Sequence, residues 1–354
     1  MDTSPAEPAE TAPGRAADAP PTQPIPGNPE SHHRADDDTE VLVIGGGPAG
    51  LTAAIYLARF RRRVRLIDAG GSRLARIPRS HNYPGFVRGV PGSTLLARLR
   101  RQAEAYGVRT TAAEVEGIER VDGAFEAYWP GGTTRAAKVL LATGASDVPP
   151  PMPYLAEALR SGALRYCPVC DGFEVIDQRV GVLTSDRNGI TEALYLRHFT
   201  PHLTVFLVEG ASAPSDGDAR ALAEAGIRYA PEPVRSVRQW DGRVTVRHGD
   251  EETACDALYG AFGMRVHSGL ATRLGADSDG DGYLLTDRHH ATTVDGLYAI
   301  GDVAQGLNQI TVATGGAAIA TAAIHLALGG PWVLPATMAE DDGGQTHADR
   351  SQAR

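Results

Sequence analysis

Residues 40–68 constrain the fold more than any other stretch. Glu40 to Ile44 reads as a buried strand and Gly45-Gly46-Gly47-Pro48-Ala49-Gly50 as a tight turn. Leu51 to Phe60 continues as an apolar helix, and Val64 to Ile67 is a second strand ending at Asp68. Strand, glycine turn, helix, strand and acid follow in that order, the pattern of a nucleotide-binding unit. Gly45 permits the tight turn, Gly47 lets the backbone approach a pyrophosphate, and Gly50 lets helix pack on strand. The turn, Pro48 and Ala49 included, opens a helix whose free amides and dipole attract phosphate. Asp68, 18 residues after Gly50, is placed to accept from a ribose hydroxyl. A glycine pattern alone is weak evidence; here its whole context is present. Arg61-Arg62-Arg63 follow the helix and suit its negative end.

The unit recurs. Val180 to Thr184 reads as a strand, Ile190 to His198 as a helix and Leu203 to Val208 as a strand ending at Glu209. The fold class is therefore α/β, with two Rossmann-like nucleotide-domain halves. The second turn, Thr184-Ser185-Asp186-Arg187-Asn188-Gly189, lacks closely spaced glycines. Asp186 would face a pyrophosphate with like charge, costing about 4 kcal/mol per pair at 4 Å near a surface; Arg187 offsets part of that.

Between the halves lie the turn-rich loop His81–Phe86 and an amphipathic helix over Ser93–Tyr106, with Ser93 as its candidate cap. Strands of a small meander are expected at Thr110–Ile118 and Phe125–Trp129. An apolar strand then ends in Thr143-Gly144-Ala145, and Pro149-Pro150-Pro151 suggests a domain boundary. After the second unit come a helix at Ala219–Ala225 and a hairpin, Val234–Trp240 with Arg243–His248. Asp277–Gly282 mimics a calcium loop, but its twelfth position is Arg288, so a glycine-rich turn is the better reading. His289 and His290, as strand neighbours, would point to opposite faces, against a joint metal site. Leu297 to Asp302 is strand into turn. Gly301-Asp302 and the start of the apolar helix Gln309–Leu328 form a candidate second part of a flavin dinucleotide site.

The chemistry is carried by Cys167-Pro168-Val169-Cys170-Asp171. A Cys-x-x-Cys pair cycles between dithiol and disulfide, and Asp171 is placed to move protons to and from a leaving thiol. The same spacing is half of a zinc site, but zinc needs about four ligands, and Cys255, the only other cysteine, has no paired partner. No metal is expected. Lys138 is the only lysine, which nearly excludes Schiff-base chemistry. Of the net charge of -9, most falls in residues 1–40, which hold nine acids against two arginines; the near-neutral remainder argues against a nucleic-acid surface. Three cysteines make no disulfide framework, pointing to a reducing, cytoplasmic setting. The N-terminus lacks signal-peptide features, and no uninterrupted apolar run approaches membrane-spanning length. Residues 1–38 are Pro/Ala-rich and acidic, and with 333–354 are expected to be disordered.

Taken together, GGGPAG, the HNYPGF loop, LLATGA, CPVCDG and the late AIGDV segment with Asn308-Gln309 make the chain resemble the low-molecular-weight thioredoxin reductase family of flavoprotein disulfide reductases. The resemblance implies a three-layer ββα FAD domain in two pieces, residues 39–149 and 261–332. A Rossmann-like domain carrying the cysteines, residues 150–260, would be inserted between them, and the protein would be a homodimer. It implies that Gly45, Gly47, Gly50, Asp68, Asn82, Gly144, Asp302 and Gln309 line the FAD. Cys170 would face the flavin, Cys167 would exchange with substrate and Asp171 would move protons. Electrons would pass between flavin and the cysteine pair, then to a thioredoxin-like protein or a small-molecule disulfide, or in reverse from a dithiol. Members that use NADPH carry a glycine-rich turn where Thr184–Gly189 stands and a basic pair where Val208-Glu209 falls. NAD(P)H use is thus doubtful, NADH suiting Glu209 better than NADPH. Ala317–His325 resembles a divergent branch that oxidises dithiols or takes electrons from another donor. A conventional NAD(P)H-dependent reductase and a flavin-binding redox sensor without turnover are the alternatives.

Overall fold

The computed structural model describes residues 39–240 and 242–329. The tail expectations for 1–38 and 333–354 lie outside these residues. β1 (Thr39–Ile44), α1 (Pro48–Arg59), β2 (Val64–Asp68), α2 (Gly92–Ala105), β3 (Arg109–Ala112), β4 (Gly117–Val121), β5 (Ala124–Trp129) and β6 (Gly132–Leu141) build most of a seven-stranded sheet ordered β3-β2-β1-β6-β5-β4. β7 (Ala145–Asp147) leads out of it. A second seven-stranded sheet, ordered β13-β12-β11-β10-β9-β14-β8, is contiguous in sequence. Its elements are α3 (Leu155–Ser161), β8 (Leu164–Arg165), α4 (Pro168–Asp171), β9 (Val180–Thr184), α5 (Arg187–Leu196), β10 (Leu203–Val208), α6 (Asp216–Glu224), β11 (Arg228–Trp240), β12 (Arg243–His248), β13 (Glu251–Cys255) and β14 (Ala257–Ala261). The chain then returns through β15 (Met264–Val266), which pairs with β7, and α7 (Gly269–Thr272) to β16 (Leu297–Ala299) and α8 (Ile310–Ala327).

β6 explains how the first sheet takes two pieces. Its first half pairs antiparallel with β5; Val139–Leu141 pairs parallel with β16, on the edge opposite β1. The sheet is thus completed only by residues that follow the second domain. Strand alternation then sets three layers. Val41 and Val43 face the helical layer of α1, α2 and α8, whereas Leu42 and Ile44 face Phe125 and Ala127 of the antiparallel meander. β9 is buried at every position between β10 and β14, as a central parallel strand must be.

Several local expectations change. α2 starts at Gly92 with Pro91 at its cap and no side-chain cap bond, so Ser93 lies inside the helix. Gly92 donates its N–H to the Ile77 carbonyl and packs too closely on Leu74 for a side chain there. Thr110–Ile118 is not one meander strand: β3 joins the parallel edge through β2, and only β4 onward enters the meander. Two of the arginines after α1, Arg62 and Arg63, pair with Glu40 of β1. Arg62 pairs with Glu40 and donates to the His325 carbonyl, tying β1 to α8. His290 is not in a strand but in a turn at φ 62. Asp279 is used within its own turn, Oδ1 accepting from the Asp281 and Tyr283 amides. Finally, α8 is long and apolar enough to cross a membrane, with mean hydropathy 1.6 over 18 residues, contrary to the sequence expectation. It instead packs on α1 and seats Gln309 at its cap, and its alanines and threonines hid the run.

Candidate active site

A cleft of about 970 Å³ runs between the domains. Gly45, Gly47, Pro48, Ala49, Asp68, Asn82, Gly144, Gly301, Asp302 and Gln309 line it, and so do Cys167, Cys170 and Asp171. Gly50 is off the wall: a side chain there would meet the Gly45 carbonyl, so it serves helix–strand packing. Gly45 sits at φ +109, where a Cβ would run into the Ala142 carbonyl, and a Cβ on Gly46 would enter the Asp68 carboxylate. Asp68 Oδ1 accepts from Gly46 N at 3.0 Å and Gly70 N at 3.1 Å, locking acid to turn. Gly47 caps α1 without a side-chain bond, which leaves the helix's first amides open to an anion. On the opposite wall Arg73 bridges Asp147, at 2.6 Å, and Asp302, at 3.4 Å. Burial pushes the Asp302 carboxyl up, and Arg73 pulls it back.

Cys167 and Cys170 are joined in a disulfide with a Cα–Cα distance of 5.2 Å. Cys167 caps α4, its Sγ accepting from Cys170 N at 3.1 Å. A relay from the other domain reaches both sulfurs. Ser80 Oγ donates to Asn82 Oδ1, Asn82 Nδ2 to Gln309 Oε1 at 2.9 Å, and Gln309 Nε2 to Cys170 Sγ at 3.2 Å and Cys167 Sγ at 3.6 Å. Asp171 accepts from Arg165 Nη1 at 2.8 Å and from the buried Tyr259 hydroxyl at 2.7 Å. Burial raises the Asp171 carboxyl, the two donors opposing it. Such a carboxyl holds its proton to higher pH than a free one, as a proton donor beside a sulfur pair requires.

The description "Pyridine nucleotide-disulphide oxidoreductase" matches residues 39–317. The thioredoxin reductase of Treponema pallidum is 30% identical over 304 residues, covering 80% of this chain and 95% of its own. The chain belongs to the thioredoxin reductase family of these oxidoreductases. Among solved structures, HlmI superposes with a TM-score of 0.75 at 31% identity, covering 82% of this chain and 92% of its own. Lactococcus lactis thioredoxin reductase in its FR conformation reaches only 0.54 at 26% identity, with 82% and 98% covered.

Membership makes the chain a flavoprotein oxidoreductase acting on sulfur groups, and its residues fit FAD: a side-chain-free cradle, an uncapped helix N-terminus and a cleft that joins both to the sulfur pair. The corresponding position of the second domain is built differently. α5 is capped by Asp186, whose Oδ1 accepts from Asn188 N at 2.8 Å. A Cβ on Gly189 would enter the Thr184 side chain, which is fully buried and donates to the Ala261 carbonyl. Arg187 does not offset Asp186; it pairs with Asp218 at 2.9 Å. Sequence reasoning missed Arg73, Ser80, Arg165 and Tyr259. Arg165, six residues before Asp171, lay within local range; Tyr259 is brought in by the β14–β9 pairing and left no linear signal.

Proposed function

We propose that the chain is an FAD-dependent dithiol/disulfide oxidoreductase in which Cys170 faces the cofactor and Cys167 exchanges with substrate. One observation carries this assignment: Cys167 lines both this cleft and a second one, whereas Cys170 lines the first alone. FAD, when bound, supplies a two-electron acceptor or donor beside the disulfide. The protein's part is to hold the sulfurs and move protons. Attack of a thiolate on Cys167 Sγ places the leaving charge on Cys170 Sγ, where the Gln309 amide donates to it. Asp171 then hands on a proton, with Tyr259 and Arg165 fixing its carboxyl. The two-piece domain of residues 39–149 and 261–332 carries the cofactor cradle, and 150–260 carries the sulfurs.

Nicotinamide use is poor on this reading. The cap on α5 is an anion where a pyrophosphate would sit, and Glu209 follows β10. Under anaerobic conditions a dithiol is expected to bleach the flavin, with NADPH at least about a hundredfold slower. Rapid bleaching by micromolar NADPH would instead favour the conventional NAD(P)H-dependent reductase, the activity for which the relatives are named.

α8 leaves Val312, Ile319 and Leu326 exposed, seven residues apart on one face. A second copy of this chain is the proposed cover, giving a cytoplasmic homodimer. Ile319→Asp is expected to halve the mass in sedimentation without loss of FAD. An unchanged dimer would place the interface elsewhere, and vesicle binding by the wild type would make a lipid surface the partner instead.

A further inference from the structure

The second cleft holds about 380 Å³, near the lower end for small-molecule sites. Its walls are largely apolar: Val169 of α4, Tyr195 of α5, Met264 of β15 and Leu307. Glu192 of α5 stands among them, and its Oε2 is buried with no hydrogen-bond partner among the described residues. A buried polar atom left unpaired is costly, which makes it a candidate for pairing with a ligand. Cys167 forms part of the same wall.

We propose that this cleft takes a small-molecule dithiol or its cyclic disulfide, seated with an uncharged hydrogen-bonding group on Glu192. The inference rests on the reading above that Cys167 is the exchanging sulfur. The first substrate thiolate attacks Cys167 Sγ; the enzyme S–S bond breaks and its electron pair leaves on Cys170 Sγ. The second substrate thiol, losing its proton, attacks the substrate sulfur of that mixed disulfide and expels Cys167 as thiolate. Substrate dithiol becomes cyclic disulfide, enzyme disulfide becomes dithiol, and the single turnover balances without a further oxidant.

Charge sets the selectivity. Burial, with Asp186 adding like charge, pushes Glu192 up to about 7. Tyr195 faces it from its own helix. Tyr166 and the Arg73–Asp147 pair come from the other walls, and Arg73 is already committed to Asp147 and Asp302. Below neutrality Glu192 is a neutral donor to an ester or amide carbonyl; above it, an anion that repels a carboxylate.

The test is anaerobic stopped-flow bleaching of the FAD-loaded protein by methyl 6,8-dimercaptooctanoate and by the parent 6,8-dimercaptooctanoate, whose thiols titrate alike. In the wild type the ester-to-acid rate ratio is expected to rise about tenfold between about pH 6 and about pH 8. Glu192→Gln is expected to flatten it, because the amide stays neutral. Met264→Trp, which fills the cleft, is expected to slow both probes about tenfold. A flat wild-type ratio, the same rise in Glu192→Gln, or no slowing in Met264→Trp overturns the cleft assignment while leaving Cys167 exchange standing. Bleaching by neither probe in the wild type overturns the parent reading as well.

Discussion

Cys167→Ser is expected to retain the flavin absorbance and lose dithiol–disulfide turnover by about a thousandfold or more. The retention follows from where Cys167 sits: the cradle is built by β1, α1 and β2, and none of its close approaches involves α4. The loss follows because a hydroxyl cannot form the mixed disulfide on which exchange depends. Cys170→Ser separates the roles. It leaves Cys167 in the second cleft but removes the sulfur to which Gln309 donates at 3.2 Å. Offered an open-chain disulfide, that variant is expected to accumulate a mixed disulfide at Cys167 as its thiolate attacks one substrate sulfur and the other leaves as a thiol, visible by intact mass and reversed by excess thiol. Unchanged turnover in Cys167→Ser would remove this cysteine from the reaction.

Gly45→Val is expected to yield protein without FAD, destabilised by about 3 kcal/mol or more. Two costs fall on one atom. The backbone at φ +109 is a region that L side chains rarely adopt, and the new Cβ would lie in the Ala142 carbonyl at the end of β6. Relief requires β1 and β6 to separate, and their pairing carries the centre of the first sheet. Added FAD would not rescue the variant, since the strand separation opens the cradle itself. Flavin content after gel filtration and a thermal melt give the answer; wild-type FAD content would show that the turn is not close-packed as described.

These two variants mark what linear sequence reveals. The βαβ unit at residues 40–68 was legible because its glycines and Asp68 answer local demands: a turn, a close approach, a nearby acceptor. The CxxC motif was legible for the same reason. Gln309 was legible as the start of an apolar helix and through the resemblance, but not as a partner of the sulfurs, which lie 142 and 139 residues earlier and meet its amide only after folding. Tyr259 and Glu192 had no local mark. One is an ordinary strand residue whose hydroxyl happens to reach Asp171, the other an ordinary helix residue beside an unclaimed space. The Thr110–Ile118 stretch misled because a strand's propensity does not say which edge it will join. Arg187, read as a counter-charge to Asp186, was drawn off by Asp218, a competitor that only folding brings near.

The return of β16 to the first sheet has a consequence for how the chain is made. On the ribosome, everything from β8 to β14 emerges as one uninterrupted run and can finish its own sheet first. Until Leu297–Ala299 arrives, Val139–Leu141 presents a bare, fully apolar strand edge to the surroundings. Nascent chains halted between the two stretches should therefore be the ones that chaperones hold and that clump when released.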